Sequence, residues 1–226
     1  MKAVELVLLS TTLNYLPDNI WMLKHLKSLK LNLCVWLEKL PEDLGRLECL
    51  EKLNFSYIKI SHLPDMLKHL KSLQLRFCCF LEKLPEDLGR LESLALSCTM
   101  IKELPDSICM LKHLKSLELI SCSLLEKLPE DLGGQLECLE KCKFLQGIPN
   151  SIGKMKCLRY FHLPYCIRVE KLPEELGSFE CLKELDIQGS HVNYLNQAAS
   201  HLSMDHIYVP LESPTITCSQ ISGVTN

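Results

Sequence analysis

Leucine recurs along residues 1–195 in a frame that is repeated every 20 to 24 residues. A Leu-Pro dipeptide marks each repeat, replaced once by Ile-Pro, and successive dipeptides lie 24, 23, 21, 20, 24, 20 and 24 residues apart. They begin at Leu16, Leu40, Leu63, Leu84, Leu104, Leu128, Ile148 and Leu172, and Leu195 closes the series 23 residues later without a proline. A period of this length predicts a solenoid, in which each repeat is one structural unit stacked on its neighbours.

Within each repeat, two apolar residues separated by one other residue predict a short strand. Leu29 and Leu31 form such a pair, and because alternate residues of a strand share a face, both should point into the core while Lys30 points away from it. The corresponding pairs are Leu6/Leu8, Leu53/Phe55, Leu73/Leu75, Leu94/Leu96, Leu117/Leu119, Phe161/Leu163 and Leu185/Ile187. The repeat at 128–149 is the least regular, and there we expect Cys142 and Phe144 at the strand positions.

These patterns predict an α/β fold, a leucine-rich-repeat solenoid. About nine strands should stack in parallel into one curved sheet on the concave face, while segments such as PEDLGRL return along the convex face as short helical or irregular turns. We expect the solenoid to cover residues 1–195 and to begin in the middle of a unit, without a capping segment. Residues 196–226 lack the frame and are predicted to form a non-repeat tail that is open to disorder.

Three repeats are three residues shorter than their counterparts. The segment LPDMLKHL, for example, lacks the NIW that is present in LPDNIWMLKHL. In the repeats that begin at Leu63 and Leu84 the loss is one triplet on the convex side, so we expect each of them to lose one core side chain while its strand keeps its register.

Composition excludes several classes of protein. Apolar residues make up 47% and charged residues 23% of the chain, and the formal net charge is −3, which leaves no basic footprint for nucleic acid. No apolar run approaches the roughly 20 residues that cross a bilayer, so no membrane partner is expected. Glu5 interrupts the apolar N-terminal stretch, which disfavours a signal peptide. We therefore expect a cytoplasmic chain whose 13 cysteines are reduced.

The cysteines follow the repeat. Four of them lie five residues after the first strand leucine in alternate repeats: Cys34, Cys78, Cys122 and Cys166. There a small side chain should turn inward and donate weakly to loop carbonyls, about 10 Å from its nearest counterpart and beyond the reach of a disulfide. Cys138, Cys157 and Cys181 each precede a core leucine, so a redox role remains open for them. No pair has metal-ligand spacing, and no metal or cofactor is expected.

The sequence contains no recognisable catalytic arrangement. The Glu-Asp pairs at 42/43, 86/87 and 130/131 follow a proline, as is typical of the first turn of a helix, and are not predicted to be a catalytic pair. The histidines of the LKHLK segments, at 25, 69 and 113, should face solvent on the outer side. We therefore predict that the chain is not an enzyme.

One sequence combination resembles a known family. LEKLPEDL at 37–44, 81–88 and 125–132, the cysteines of the L-x-L-x-x-C segments, and TMIKELP at 99–105 resemble the repeat region of plant nucleotide-binding leucine-rich-repeat immune receptors, especially the TIR-type class. The resemblance implies a module that senses pathogen effectors or host proteins in defense. The chain contains no G-x-x-x-x-G-K-S/T phosphate loop, so nucleotide binding is not carried over.

Two alternatives stay open beside this interpretation. Plant intracellular Ras-group repeats resemble the LPxxIxxLxxLxxL frame, but usually have asparagine where this chain has cysteine, and they imply a structural scaffold. The second alternative is a degenerate receptor fragment without function, which would explain the shortened repeats and the lack of capping segments. If the chain is a receptor fragment, its partner could also be the missing domains of the parent receptor.

Outward strand residues should line the concave face, where solenoids bind their partners. They are predicted to form a protein-binding surface, whose candidate residues are Lys30, Asn32, Asn54, Tyr57, Gln74, Arg76, Phe77, Glu118, Tyr160, His162, Tyr165, Asp186 and Gln188, together with Ser56, Ile120 and Lys143. Two aromatic clusters, Tyr57/Phe77 and Tyr160/Tyr165, are the expected centres of contact, because tyrosine, phenylalanine and arginine tend to dominate interface energies.

Overall fold

The computed structural model describes residues 4–10, 12–132, 135–140, 145–173, 181–192 and 207–208. The architecture is a single ten-stranded sheet in which every strand pairs with the strands before and after it in the chain, always in parallel. The strands are β1 (Val4–Leu9), β2 (Leu26–Asn32), β3 (Lys52–Ser56), β4 (Ser72–Arg76), β5 (Ser93–Ser97), β6 (Ser116–Ile120), β7 (Cys138–Glu140), β8 (Tyr160–His162), β9 (Glu184–Asp186) and β10 (Ile207–Tyr208).

The alternation of buried and outward residues builds the core. Leu29, Leu53 and Leu73 occupy paired positions in β2, β3 and β4, and each is at most 1% exposed. The second strand position is equally buried, and the buried residues of all the units join in one cluster that extends from Leu16 to Val192. The predicted pairs of inward residues are confirmed from β2 to β6, because no unit buries its leucines without its neighbours.

Short 3-10 helices occupy the convex side of the full-length repeats. They span Asp18–Met22, Glu42–Arg46, Asp106–Met110 and Asn150–Lys154, and each follows a proline. Proline suits this place because its ring presets φ and the N–H it lacks would have had no helical partner. One residue of each helix, such as Ile20 or Leu44, points into the core.

The two shortened repeats that begin at Leu63 and Leu84 lose this helix and keep the strand of the frame. Residues 63–92, all of which are described, form no helix. The strands on either side keep their register, with Leu73 opposite both Leu53 and Leu94. The expectation that a missing triplet removes a convex core residue and spares the strand is confirmed. An open groove of about 450 Å³ lies beside the first shortened repeat, next to Trp21 and Met66.

The strand prediction for the irregular repeat was wrong. β7 comprises Cys138–Glu140, and Leu139, which is fully buried, stands opposite Leu117. Cys142 and Phe144, which we expected at the strand positions, lie outside the described residues. The error has a physical cause: this repeat is shortened on both sides of its strand, so matching its LECLEKCKF segment to the LECLEKLNF segment of the repeat at 40–62 places the strand three residues too late.

The sheet also continues past the expected nine strands. Ile207 and Tyr208 pair with Leu185 and Asp186 of β9 and so add a tenth strand within the segment 196–226. The division of the chain at residue 195 remains a prediction. Among the described residues, no helix has the length and apolarity required to cross a bilayer.

Candidate functional site

The candidate site is the sheet face opposite the buried leucines, which we call the concave face. Its outward positions in β2–β4 hold nine side chains: Ser28, Lys30, Asn32, Lys52, Asn54, Ser56, Ser72, Gln74 and Arg76. Equivalent residues of adjacent strands are neighbours, as the Asn54 side-chain amide shows by donating to the Gln74 Oε1 at 2.9 Å. The strand register thus brings predicted site residues that are 20 or more positions apart into one surface.

Charge is segregated along this face. The outward positions of β2–β5, all of which are described, carry the cations Lys30, Lys52 and Arg76 and no carboxylate. The described outward positions of β6–β9 carry no lysine or arginine, and their acids are Glu118, Glu140, Glu184 and Asp186. Between the two halves, β5 presents only Ser93, Ala95 and Ser97. The face is therefore basic at one end and acidic at the other.

One acid sits at the basic end, on β1. The Glu5 carboxylate lies 2.8 Å from the Lys30 Nζ and accepts a hydrogen bond from the Ser28 hydroxyl at 3.0 Å. The Lys30 ammonium, and secondarily the Ser28 hydroxyl, hold the pKa of Glu5 below its ordinary value. Lys30 is thus partly neutralised, whereas neither Lys52 nor Arg76 forms an ion pair within the described part of the chain.

Tyr57 and Phe77 form a stack at the edge of the concave face. Their rings lie 4.4 Å apart with an interplanar angle of 7°. Both residues were predicted from the sequence to lie within the strands. They lie instead one position beyond the ends of β3 and β4, with φ values of 56° and 55°. The cluster expected from the sequence is formed, although its backbone conformation was not foreseen.

This left-handed conformation recurs at the same position of most repeats. The described residues that share it are Ser10, Leu33, Tyr57, Phe77, Cys98, Ser121, Tyr165 and Gly189. The N–H groups of six of them, all but Ser121 and Gly189, are seen to extend the sheet ladder by one bond, as when Tyr57 donates to the Arg76 carbonyl at 3.0 Å. The turn is therefore a property of the repeat, but a bulky residue there carries a steric cost that glycine or asparagine largely avoids.

The second aromatic cluster is divided by the structure. Tyr160 begins β8 and meets the His162 ring edge-on at 6.2 Å, whereas the Tyr165 ring covers Gly189, where an added Cβ would lie 2.4 Å from the Tyr165 Cδ1. Tyr160 is the first residue of β8, whereas Tyr165 lies in the turn that follows the strand, so the two tyrosines lie at opposite ends of this strand.

His162 lies between two acids in the C-terminal half. Its Nδ1 is 3.6 Å from the Glu140 carboxylate, and its Nε2 is 3.2 Å from that of Glu184. The Nε2 is shielded from solvent, yet the Glu184 contact is not aligned as a hydrogen bond. No group of three or more His, Cys, Asp or Glu side chains in the described ranges is arranged to hold a metal ion.

Four charged residues of this face escaped the sequence reasoning: Glu5, Lys52, Glu140 and Glu184. Lys52 and Glu184 directly precede the first strand leucine, at a position that the two-leucine frame does not include. Glu140 was missed because the strand of its repeat was placed too late. The alternation of the strand could have identified Lys52 and Glu184, since each lies two positions before an outward residue and therefore on the same face. Of the predicted residues, Gln188 is exposed just after β9, and Lys143 lies outside the described residues.

The four periodic cysteines turn inward as predicted, and none is more than 4% exposed. The Cys34 thiol donates to the Leu8 and Asn32 carbonyls at 3.7 Å, and Cys78 and Cys122 make equivalent contacts with their own strand and the preceding one. Burial raises the pKa of Cys78 to about 12. Weak donation to backbone carbonyls thus explains why a small, weakly polar residue recurs at this position.

The other three cysteines do not form one series. Cys138 lies in β7 opposite Tyr160, whereas the Cys157 thiol points to the Gln135 side chain at 3.9 Å. Cys138, Cys157 and Cys181 all carry free thiols, so the structure contains no disulfide among them.

Burial predicts which thiols react. In the native chain, iodoacetamide at about pH 8 should label the exposed Cys79 and Cys181 and spare Cys34, Cys78, Cys122 and Cys166, because only an accessible thiolate attacks. Mass spectrometry of the labelled peptides, with urea-unfolded chain as the control, measures this. Cys78 and Cys79 make a matched pair, and equal labelling of the two in the native chain would contradict the buried position of Cys78.

Known proteins share this architecture. The Leucine Rich Repeat family model matches residues 69–91, and no curated protein sequence matches the chain. The leucine-rich-repeat domain of the type III effector XopL is 29% identical, with a TM-score of 0.80 over 92% of this chain and 76% of that one. Toll in the Drosophila Toll–Spatzle complex has a TM-score of 0.70 at 17% identity, over 98% of this chain and 35% of the other.

A plant receptor is also similar in fold. The Arabidopsis receptor kinase HAESA, solved with a peptide hormone and a co-receptor, is 19% identical with a TM-score of 0.52, over 92% of this chain and 33% of that one. The parallel ladder, the matched repeat and these structural similarities agree with one another. The chain is a leucine-rich-repeat solenoid.

Proposed function

We propose that the chain is a non-catalytic protein-recognition module that binds its partner across the concave face. The observation that carries this proposal is the segregation of charge along the face, from Lys30, Lys52 and Arg76 at one end to Glu184 and Asp186 at the other. Such a surface favours one orientation of a bound protein and rejects the reverse, because like charges would then be brought together.

The similar structures support recognition of proteins or peptides. Toll was solved with Spatzle, and HAESA with a peptide hormone and a co-receptor. Their identity to this chain is low, so they support the use of the fold and not a particular partner. An open sheet face also lacks the deep apolar pocket that small-molecule chemistry favours.

The finer proposal is a plant immune-receptor type of module that acts in the cytoplasm. Its partner is a pathogen effector, a host protein or other domains of a receptor, and the support is the sequence resemblance of the LEKLPEDL segments. Sequencing the transcript that encodes this chain tests the proposal. An in-frame nucleotide-binding domain supports it, whereas an unrelated flanking domain or a premature stop favours the scaffold or the relic.

The concave face is tested by a triple substitution. The Tyr57→Ala, Phe77→Ala, Tyr160→Ala variant should lose at least about 90% of specific partner retention, because aromatic side chains often supply most of the energy of an interface. Affinity capture from extract of the source tissue, quantified by mass spectrometry, measures the loss.

The matched control changes the opposite side of the solenoid. Met22→Ala with Met110→Ala removes two exposed apolar residues of the convex helices. A protein that the wild type and this control retain, and the triple variant does not, supports the proposal. Equal retention by all three chains would refute binding through the concave face.

A further inference from the structure

We propose that the concave face of β2–β4 binds an acidic segment of a partner protein, with an aromatic or large aliphatic side chain of that segment seated on the Tyr57–Phe77 stack. This inference rests on the proposed function and adds the chemistry and the orientation of the partner. We call the surface formed by Leu33, Tyr57, Arg76 and Phe77 the basic-aromatic patch; Lys30 and Lys52 lie on the same face of β2 and β3, farther from the stack.

The N-terminal half of the concave face has an excess of positive charge. Lys52 and Arg76 are exposed and form no ion pair with described residues, and the outward positions of β2–β5 contain no carboxylate that could neutralise them. Glu5 of β1 pairs with Lys30 and also attracts Lys52 at longer range, so one carboxylate faces three cations. An acidic segment would supply the missing partners, whereas a basic one would be repelled.

The aromatic half of the patch is placed at a cost. Tyr57 and Phe77 are 45% and 40% exposed, and both adopt a left-handed backbone that bulky side chains rarely populate. Ser10, Cys98 and Ser121 fill the same turn with small side chains. The repeat therefore does not require aromatic rings here, and two exposed rings stacked in neighbouring left-handed turns are a reason to look for a function.

The geometry of the patch limits what fits on it. Leu33 precedes Tyr57 in the same series of turns and is 46% exposed, so the stack continues as an apolar strip along the edge of the sheet. Arg76 ends β4 directly before Phe77 and so lies beside this strip, whereas Lys52 begins β3 and lies at the other end of that strand. An extended segment that runs along the strands, with its apolar side chain over the stack and its carboxylates near Arg76, Lys30 and Lys52, matches this arrangement.

The acidic half of the concave face restricts where the partner segment binds. Glu118, Glu140, Glu184 and Asp186 would repel the same acidic segment, so its binding is confined to the N-terminal half. A nucleic acid would need more cations than the three that β2–β5 present, because each phosphate contact contributes little alone. A protein segment with a few carboxylates and an anchoring side chain needs no more than the patch provides.

The inference is tested with synthetic peptides and the full chain. The probe is a short peptide in which glutamates flank one tryptophan, and its matched controls replace the tryptophan by serine or the glutamates by lysines. We expect isothermal titration at low salt to show binding of the probe, about tenfold weaker binding without the tryptophan, and none of the lysine peptide. Added NaCl should weaken binding.

Variants of the chain locate the site. Lys52→Glu with Arg76→Glu should weaken probe binding at least about tenfold, whereas Glu118→Lys with Asp186→Lys should leave it equal or stronger. Tyr57→Asn with Phe77→Asn should weaken it while the circular dichroism spectrum and the unfolding midpoint are kept, since asparagine tolerates the left-handed turn. These two measurements distinguish weaker binding that is caused by misfolding from weaker binding that is caused by loss of the aromatic contact.

Three results would overturn the inference: no binding of the acidic probe, tighter binding of the lysine peptide, or equal binding of single-stranded RNA. Unchanged binding by the Lys52→Glu, Arg76→Glu variant would do the same. These results differ from failure of the proposed function, which is the equal partner retention described above. A chain that prefers the lysine peptide, for instance, would still be a recognition module whose contact lies on the acidic half.

Discussion

Replacing Phe55 with alanine is expected to lower the free energy of unfolding by about 3 to 5 kcal/mol, which is the usual range for removal of a buried phenylalanine. Phe55 is fully buried in β3 and stands between Leu31 and Leu75 in the inward ladder. The cavity would lie between two repeats, so it would weaken their stacking as well as the packing within one unit. Urea unfolding followed by circular dichroism measures the change.

Tyr57→Ala is the matched control for this experiment. Tyr57 is two residues from Phe55 and has a ring of similar size, but it is exposed and contacts Phe77 at the edge of the face. Loss of that stacking should cost no more than about 1.5 kcal/mol. If the two substitutions were equally destabilising, the assignment of Phe55 to the core and Tyr57 to the surface would be wrong.

Gly89→Ala is expected to destabilise the chain by about 2 to 4 kcal/mol, because it combines an unfavourable backbone with a steric clash. Gly89 has a φ of 52°, and a Cβ placed there would lie 2.1 Å from the Lys68 carbonyl oxygen. The obstructing atoms belong to the backbone of the preceding repeat, so no side-chain rotation relieves the contact. A lowered urea midpoint with an unchanged slope would report this effect.

Gly147→Ala is the control within the same chain. An alanine Cβ at Gly147 would meet no atom within 4 Å, and its φ lies outside the left-handed region. The substitution should be neutral or stabilise by up to about 1 kcal/mol, because alanine restricts the unfolded chain. Comparable destabilisation by both substitutions would mean that the close approach of the repeats at Gly89 is not present in solution.

The position of Gly89 explains how a shortened repeat fits the solenoid. Residues 84–104 lack the convex triplet and form no 3-10 helix before β5. The returning chain therefore passes directly over Lys68 of the preceding shortened repeat, and only a residue without a Cβ fits. Two adjacent shortened repeats thus pack through their backbones where full repeats pack through helices.

Much of the fold could be predicted from the sequence because solenoid contacts are local. Each inward leucine needs only the corresponding residue of the neighbouring repeat, so a constant period determines both burial and register, as Leu29, Leu53 and Leu73 illustrate. The prediction failed at Leu139, where the shortening is divided between the two sides of the strand. A pattern that relies on a constant spacing has no information about where such a change falls.

The candidate site was predicted less completely. The outward strand positions, including Lys30, Asn54 and Gln74, follow from the alternation alone. The left-handed turns at Tyr57 and Phe77 do not, because leucine, serine, cysteine and aromatic residues share that position and none of them marks it in the sequence. The division of Tyr160 from Tyr165 likewise depends on where β8 ends.

The sequence by itself determined that this chain is a solenoid of parallel strands, which face of each strand is buried, and which repeats lack their convex helix. Only the tertiary structure decided that Tyr57 stacks on Phe77, that the acids and bases of the concave face separate into two halves, and that the chain passes over Lys68 at Gly89. Periodicity specifies burial because apolar residues must leave water at every turn of the repeat. Contacts across the surface depend on where each strand begins and ends, and that is settled by the packing of one repeat on the next.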